Sequence, residues 1–173
     1  MPKRTALLIG RFQPFHLGHL ESIKQILKEC GHLIIGIGSS QYANTIENPF
    51  SSDERCRMIK ATLSDNRIPE DSYEIVLVPD IHDKERWVRH AVSLCPKFDV
   101  VYTRNRLVAS LFKEQGYEVK NQSLFLGEEY NATSIRERIS HDSSWKELLP
   151  LAVVKILESI GAVERLKSLK RHH

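Results

Sequence analysis

The amino-acid sequence predicts an α/β fold in which a parallel sheet is flanked by helices. Short apolar runs at residues 6–9, 33–38 and 73–79 are too brief for helices and indicate buried strands. Apolar residues in the segments between them recur at spacings of three and four, which is typical of amphipathic helices. Strands that alternate with helices form parallel sheets through right-handed crossovers.

The composition fits one domain that spans residues 1–173. Hydrophobic residues make up 41% of the chain and charged residues 27%, which are ordinary globular values. The formal net charge of +3 is mild, so we expect no nucleic-acid partner. No apolar run approaches the roughly 18 residues of a membrane helix, and no signal-peptide core follows the N-terminus. We therefore expect a soluble, cytoplasmic protein with no membrane partner.

The first predicted strand leads into residues 10–19, which read Gly-Arg-Phe-Gln-Pro-Phe-His-Leu-Gly-His. A helical pattern starts at His16, so His16 and His19 are expected one turn apart in the helix's first turn. Unpaired N–H groups and the positive end of the helix dipole stabilise an anion there. With the guanidinium of Arg11, the two imidazoles predict a nucleotide-phosphate site.

Other ligands for this segment have less support. The His16 and His19 pair could bind zinc, but zinc needs three or four ligands and no nearby Cys or His cluster supplies the rest. We predict no protein-bound metal. The chain has no G-x-x-x-x-G-K-[ST] loop and no G-x-G-x-x-G after the first strand, so P-loop and dinucleotide-binding interpretations have no support.

The second strand ends at Gly38 and Ser39, where small residues let a nucleotide approach the backbone at the carboxyl edge of the sheet. The alternative is that they are ordinary turn residues. A polar loop is predicted over 39–50. A helix then begins with Ser51 and Glu54 at capping-box spacing, and the pattern turns Cys56 toward the core.

The third strand is followed by Asp80 and by a helix whose first turn contains Trp87. A tryptophan beside an apolar stripe belongs more often to the core than to a site. A fourth strand over 98–103, a helix that ends at Gly116 and a fifth strand over 117–119 continue the alternation.

Near the C-terminus, Thr133 is the predicted N-cap of a helix that places Arg136 in its first turn. A cation there opposes the helix dipole unless an anion binds, and the alternative is a solvated charge. A final long helix is predicted from Pro150 to a stop at Gly161. The basic residues 167–173 are expected to form a mobile tail.

Several of these segments resemble one known family. Residues 10–19 resemble the signature of the nucleotidyltransferase superfamily that has the (His/Thr)-x-Gly-His motif, and their Gly-Arg-Phe-Gln-Pro form resembles the archaeal-type nicotinamide-nucleotide adenylyltransferases. Residues 48–55 match the outline of the family's Asn-Pro-Phe-Thr-x-x-Glu-Arg segment, and residues 133–136 resemble its second signature. The resemblance covers nearly the whole chain and implies a single-domain Rossmann-like nucleotidyltransferase fold with a C-terminal helical segment.

The resemblance also implies roles for individual residues. It implies that His16 and His19 contact the triphosphate of ATP, that Arg11 lies near the reacting phosphates and that Arg136 contacts the β and γ groups. It implies further nucleotide-binding residues in the motifs and at the strand ends: Gly10, Phe12, Gln13, Gly18, Gly38, Ser39, Asn105 and Thr133. The segment that contains Asp80 and Trp87 resembles the part of the family's sequences that forms the nicotinamide-nucleotide pocket.

By the same resemblance, the expected reaction is adenylyl transfer from ATP to nicotinamide mononucleotide (NMN), which gives NAD and pyrophosphate. Mg²⁺ is expected to arrive with ATP, and the family implies a homo-oligomer, namely a hexamer. One alternative is an adenylyltransferase of the same superfamily that uses the same ATP site with another acceptor, such as phosphopantetheine, flavin mononucleotide or a cytidylyl acceptor. The other is a non-catalytic nucleotide sensor.

Overall fold

The computed structural model describes residues 3–121 and 127–173. In these residues a five-stranded, wholly parallel sheet is flanked by helices, so the predicted α/β class is confirmed. The strands are β1 (Thr5–Gly10), β2 (His32–Gly38), β3 (Tyr73–Val78), β4 (Val100–Thr103) and β5 (Val119–Asn121). The helices are α1 (Leu17–Glu29), α2 (Ser52–Asp65), α3 (Lys84–Leu94), α4 (Arg106–Glu114), α5 (Ala132–Ser140), α6 (Leu151–Ser159) and α7 (Ala162–Arg171). None of the helices in this described part is long and apolar enough to cross a membrane.

The chain divides into two compact units. The first contains the described residues of Met1–Gly10, Ser22–Ser40 and Pro69–Ser123, and the second those of Arg11–Glu21, Gln41–Ile68 and Leu124–His173. The first unit holds the sheet, α3, α4 and most of α1, whereas the second holds α2, α5, α6 and α7.

The sheet of the first unit has the strand order β3-β2-β1-β4-β5. The order reverses at β1, and in open parallel sheets ligands bind at the carboxyl ends of strands near such a reversal. A buried apolar cluster packs α3 and α4 on this sheet; it consists of Leu7, Ile9, Ile34, Val78, Val88, Ala91, Phe98, Val101 and Phe112.

The second unit is helical. Its α2 packs against α6, and α7 packs against α5 and α6. The predicted capping box is confirmed, because Ser51 Oγ accepts from the N–H of Glu54 while Glu54 Oε2 accepts from the N–H of Ser51. The face of α2 that turns inward differs from the prediction, because Arg55 is buried and Cys56 is only half-buried.

Three predictions near the C-terminus are corrected. Helix α5 starts at Ala132 with Asn131 as its N-cap, so the expected cap at Thr133 was wrong; asparagine is the stronger capping residue of the two. Helix α6 starts at Leu151, one residue after Pro150. Gly161 adopts a left-handed conformation with φ of 64° and separates α6 from a further helix, α7. Most of the segment 167–173 is therefore the end of α7 rather than a mobile tail.

Candidate active site

His16 and His19 face each other at the start of α1. Their rings are stacked with centroids 3.6 Å apart. The N–H of His16 donates to Nδ1 of His19 at 3.0 Å, and the N–H of His19 donates to Nδ1 of His16 at 3.3 Å. Each histidine therefore caps the backbone N–H of the other. The first of the two, His16, lies one residue before the start of α1.

These two contacts fix the tautomer of both rings. A ring nitrogen that accepts a hydrogen bond from a backbone N–H carries no proton. The proton of each neutral imidazole must then be on Nε2, which makes both Nε2 atoms hydrogen-bond donors. The arrangement suits an anionic ligand, because each ring directs its acceptor to the backbone and carries its N–H donor on Nε2.

The rings are held by close packing. His16 is 1% exposed, and a Cβ on Gly18 would lie only 2.9 Å from its Cε1 and Nδ1 atoms. Glycine is required at position 18 for that reason. On the other side, the ring of Phe12 packs edge-on against His19 at 4.8 Å. Phe12 has a φ of 55°, a backbone conformation that costs free energy for a bulky residue and often occurs at functional sites.

Two buried guanidinium groups hold the backbone of the turn before the histidines. Arg55 Nη1 donates to the carbonyl of Arg11 at 2.9 Å, and Arg136 Nη1 donates to the carbonyl of Gln13 at 2.9 Å. Both carbonyl oxygens are thus already engaged by cations. A phosphate at this turn would meet less repulsion from backbone oxygens.

Gln13 has a second role through its side chain, which is 1% exposed. Its Nε2 donates to the carbonyl of Phe50 at 2.8 Å, and its Oε1 accepts from the N–H of Phe50 at 2.9 Å. The side-chain amide therefore ties the turn to the segment before α2. Its predicted contact with the nucleotide stays a prediction.

Arg136 is buried, so it is not the solvated charge of the alternative interpretation. Burial and, to a smaller extent, the charge of Arg11 lower its pKa to about 10, while Glu47 opposes the change. Its Nη2 donates to Thr133 Oγ1 at 3.4 Å. Among the described residues, two of the five N–H donors of its guanidinium are bonded, to the carbonyl of Gln13 and to Thr133 Oγ1, so the fork has further donors for a phosphate.

Arg55 was missed as a site residue by the sequence analysis. It is fully buried, and its pKa is lowered to about 10, mainly by burial and also by the charge of Arg11. The helical spacing could have indicated that Arg55 is buried, because this residue lies on the same face of α2 as the buried residues Met58, Ile59 and Thr62. An arginine in such a stripe must either be paired or hold the backbone.

We name Arg11, His16, His19 and Arg136 the His–Arg cluster. All four belong to the second unit. Arg11 is exposed, and its charge is close enough to lower the pKa of both Arg55 and Arg136. The charge of Arg11 thus repels both Arg55 and Arg136, and an anion that binds near these guanidinium groups would offset the repulsion.

Six further predicted site residues belong to the first unit and lie at or just beyond the carboxyl ends of strands or in the next helix. We name them the sheet-edge group: Gly10, Gly38, Ser39, Asp80, Trp87 and Asn105. Gly10 ends β1 and Gly38 ends β2. Ser39 Oγ donates to Asp80 Oδ2 at 2.7 Å, which joins the ends of β2 and β3.

Trp87 is partly buried in α3. Its ring packs at 87° to that of Phe112 with centroids 5.9 Å apart, and it covers the apolar cluster of the first unit. It therefore contributes to the core and still exposes part of its surface. The two interpretations of Trp87 in the sequence analysis are not exclusive.

Asn105 is the N-cap of α4. Its Oδ1 accepts from the N–H of Val108 at 3.1 Å, and its own N–H donates to Thr103 Oγ1 at 3.2 Å. The side-chain oxygen thus has a structural role, and the side-chain N–H groups take no part in the cap. Its predicted contact with the nucleotide stays a prediction.

Comparison with known proteins agrees with this fold and these motifs. Residues 7–138 match the family model described as cytidylyltransferase-like. A bifunctional NMN adenylyltransferase/ADP ribose pyrophosphatase from Francisella tularensis, solved with AMP and a manganese ion, superposes with a TM-score of 0.77 at 23% identity. The superposition covers 96% of this chain and 52% of that one, so this chain spans about half the length of the bifunctional protein. The fold is that of Rossmann-like nucleotidyltransferases.

Relatives found by sequence similarity identify the family more narrowly than the fold does. The nicotinamide-nucleotide adenylyltransferase of Thermococcus sibiricus is 43% identical over 163 residues, which cover 94% of this chain and 88% of the relative. That of Thermoplasma volcanium is 44% identical over 167 residues, which cover 96% and 93%. The chain belongs to the nicotinamide-nucleotide adenylyltransferase family.

Proposed function

We propose that this protein transfers the adenylyl group of ATP to NMN and so produces NAD and pyrophosphate. The observation that carries the proposal is the His–Arg cluster, in which both imidazoles accept backbone N–H groups through Nδ1 and so carry their proton on Nε2, with Arg11 in the same turn and Arg136 bonded to the carbonyl of Gln13. The family relationship selects the two substrates, because the relatives named above are nicotinamide-nucleotide adenylyltransferases.

The reaction needs positioning and charge stabilisation more than proton transfer. An oxygen of the 5′-phosphate of NMN forms a bond to the α-phosphorus of ATP. The bond from that phosphorus to the bridging oxygen breaks, and its electron pair leaves with pyrophosphate. Because the attacking phosphate is already an anion near pH 7, no general base is required. Preformed donors then stabilise the charge that builds on the α-phosphoryl oxygens and on the leaving group.

We assign the triphosphate to the His–Arg cluster. His16 and His19 donate through Nε2 to the α- and β-phosphate oxygens, Arg11 lies beside the reacting phosphates, and Arg136 binds the β and γ groups. The guanidinium fork suits this role, since it can bind two phosphate oxygens at once. The nucleoside contacts of Gly10, Phe12, Gln13, Gly18, Gly38, Asn105 and Thr133 belong to the same proposal.

We assign the nicotinamide ring to Trp87, with Ser39 and Asp80 as polar neighbours. The pyridinium ring carries a positive charge, and an indole face attracts cations. The carboxylate of Asp80, oriented by Ser39 Oγ at 2.7 Å, adds negative charge and can accept from the carboxamide. This assignment distinguishes NMN from phosphopantetheine and flavin mononucleotide as acceptors.

We infer that the metal is Mg²⁺ and that it arrives on the nucleotide. In residues 3–121 and 127–173 no group of three or more His, Cys, Asp or Glu residues could hold a metal ion. The donors of the His–Arg cluster are cationic or N–H groups, which fit phosphate oxygens rather than a cation. Mg²⁺ bound to the triphosphate shares the neutralisation of its charge.

The proposal is tested by an assay of pyrophosphate release with ATP, Mg²⁺ and a panel of acceptors. We expect release with NMN at least tenfold faster than with phosphopantetheine or flavin mononucleotide, matched by NAD in equal amount. EDTA should suppress it. Release with another acceptor alone would favour a different transferase of the superfamily, and ATP binding without release would favour the sensor. The hexamer that the family resemblance implies is tested separately by light scattering.

A further inference from the structure

Arg165 joins the C-terminal helix α7 to the segment that precedes α2. Its Nη1 and Nη2 donate to the two carboxylate oxygens of Glu54, both at 2.8 Å. Its Nη1 also donates to the carbonyl of Pro49 at 3.1 Å, and its guanidinium carbon lies 5.9 Å from the centre of the Phe50 ring. One side chain therefore contacts three residues of a single short segment.

The Arg165–Glu54 pair is sheltered from solvent. The two side chains are 23% and 15% exposed, respectively. Burial alone would raise the pKa of Glu54, but hydrogen bonds from Arg165 and from the backbone of Ser51 outweigh it and lower the pKa. Paired two-pronged contacts of this kind are stronger and more directional than exposed ion pairs.

Glu54, which Arg165 holds in place, also bonds to the backbone of the segment. The same carboxylate accepts from the N–H of Ser51 at 2.9 Å as part of the capping box. Pro49 and Ser51 are thus both held, and Phe50 lies between them. Beside them, Oδ1 of Asn48 is buried with no hydrogen-bond partner in the described residues. Such an oxygen costs free energy, and the contacts from Arg165 and Glu54 add to the hydrogen bonds that the segment makes within itself.

The segment in turn holds the turn of the His–Arg cluster. Both backbone polar groups of Phe50 are bonded to the side-chain amide of Gln13, at 2.8 and 2.9 Å. The carbonyl of Gln13 accepts from Arg136 at 2.9 Å. Arg165 therefore holds Pro49, the peptide bond joins Pro49 to Phe50, and hydrogen bonds lead on from Phe50 to Gln13 and from Gln13 to Arg136.

We propose that Arg165 is a positioning residue for the triphosphate site. It touches no reacting atom, and it acts by fixing the segment that fixes Gln13 and Arg136. Residues 39–51 contain no helix or strand that would hold them independently. Since small displacements of catalytic groups can cost about 10²-fold in rate, loosening this segment should affect ATP use. The inference rests on the proposed function, which assigns ATP to this site.

The first test compares Arg165→Met with Lys170→Met in the full chain. Methionine keeps much of the apolar stem but loses the fork. Lys170 also lies on α7 and pairs with Glu137 at 2.6 Å, but both of those side chains are more exposed, so its loss serves as a matched control. We expect kcat/KM for ATP to fall about tenfold to a hundredfold in Arg165→Met, with KM for NMN unchanged, and no change in Lys170→Met.

The second test is a double-mutant cycle with Glu54→Gln. Glutamine preserves a capping box but removes the charged partner of Arg165. If Arg165→Met fails to fold, Glu54→Gln therefore tests the same contact on its own. We expect Glu54→Gln to lower kcat/KM for ATP as well, and the double variant to be little worse than the poorer single variant. Additive losses would contradict action through Glu54.

A purely structural Arg165 would give a different result. It would lower the melting temperature and leave kcat and KM for ATP at 25 °C unchanged, which would overturn the inference. ATP titration of the same variants separates this inference from the proposed function. If the parent protein binds ATP but makes no NAD, the proposed function fails, and a tenfold weaker ATP affinity in Arg165→Met would still support the positioning role. An unchanged affinity in that case would reject it.

Discussion

The His–Arg cluster and the sheet-edge group differ in how their polar atoms are used. In the cluster, the Nδ1 acceptors of both rings and one guanidinium nitrogen of Arg136 are bonded to the backbone, which places the N–H of each ring on Nε2. In the sheet-edge group, Ser39 is bonded to Asp80, and Asn105 caps a helix. The first region is preorganised for an anion by its own packing. In the second, the strongest candidate for ligand contact is the partly exposed face of Trp87.

This difference predicts where substitutions act. Changes in the His–Arg cluster should remove stabilisation of developing charge and lower turnover. Changes in the sheet-edge group should weaken the binding of one substrate. The expected effects are therefore larger in the His–Arg cluster than in the sheet-edge group.

The largest effect is expected from the histidine pair. His19→Asn keeps a side-chain acceptor close to the position of Nδ1 and removes the Nε2 donor, so it isolates the donor's role. We expect kcat to fall about 10² to 10³-fold, the usual loss for one preorganised donor, and NMN affinity to change little. Steady-state NAD formation measures both values. His172→Ala, near the end of the chain, is the matched control, and near-normal turnover in folded His19→Asn would make His19 structural.

Arg136→Lys should have the next largest effect despite keeping the charge. An ammonium cannot bind two phosphate oxygens in a fork while also holding the carbonyl of Gln13. Charge-assisted hydrogen bonds are worth about 1.5 to 3 kcal/mol, so kcat/KM for ATP should fall about tenfold to a hundredfold, with KM for NMN unchanged. Kinetics at varied ATP check this. A lysine variant that matches the parent would show that Arg136 binds no phosphate.

Trp87→Ala should weaken NMN binding by a smaller factor. A cation–π contact is worth about 0.5 to 2 kcal/mol, which corresponds to about threefold to thirtyfold in affinity. Trp87→Phe should recover part of the loss. KM for NMN measured in both variants tests this, provided that melting curves show an intact core, because Trp87 also packs on Phe112.

The smallest effect concerns stability at low pH. Burial acts to raise the pKa of Glu54, but hydrogen bonds from Arg165 and Ser51 lower it overall. Its ionised form therefore stabilises the fold above the unfolded pKa of about 4.3, and this contribution is lost as the pH falls through the folded pKa. We expect the difference in unfolding free energy between the parent and Glu54→Gln to shrink from neutral pH to acid, as measured by urea unfolding. A difference that is constant with pH would contradict this pKa direction.

The sequence predicted the elements that depend on local signals. Apolar runs located the strands, and the spacing of Ser51 and Glu54 located the start of α2. Predictions failed where two neighbouring residues could serve the same purpose, as at Asn131 and Thr133, or where a polar side chain occupies an apolar stripe, as Arg55 does. The bond between Gln13 and Phe50 joins residues 37 apart in sequence, and no local pattern indicates it. Motif resemblance supplied the candidate residues, but only the structure shows which atoms of them are already engaged.

The central claim is that the two regions serve different substrates. Isothermal titration calorimetry tests this claim by measuring the dissociation constants of ATP and of NMN for each of two variants, Arg136→Lys and Trp87→Ala. We expect Arg136→Lys to weaken ATP binding alone and Trp87→Ala to weaken NMN binding alone. If either variant weakens both ligands equally, or if Trp87→Ala weakens ATP and leaves NMN unchanged, the division between the two regions is wrong.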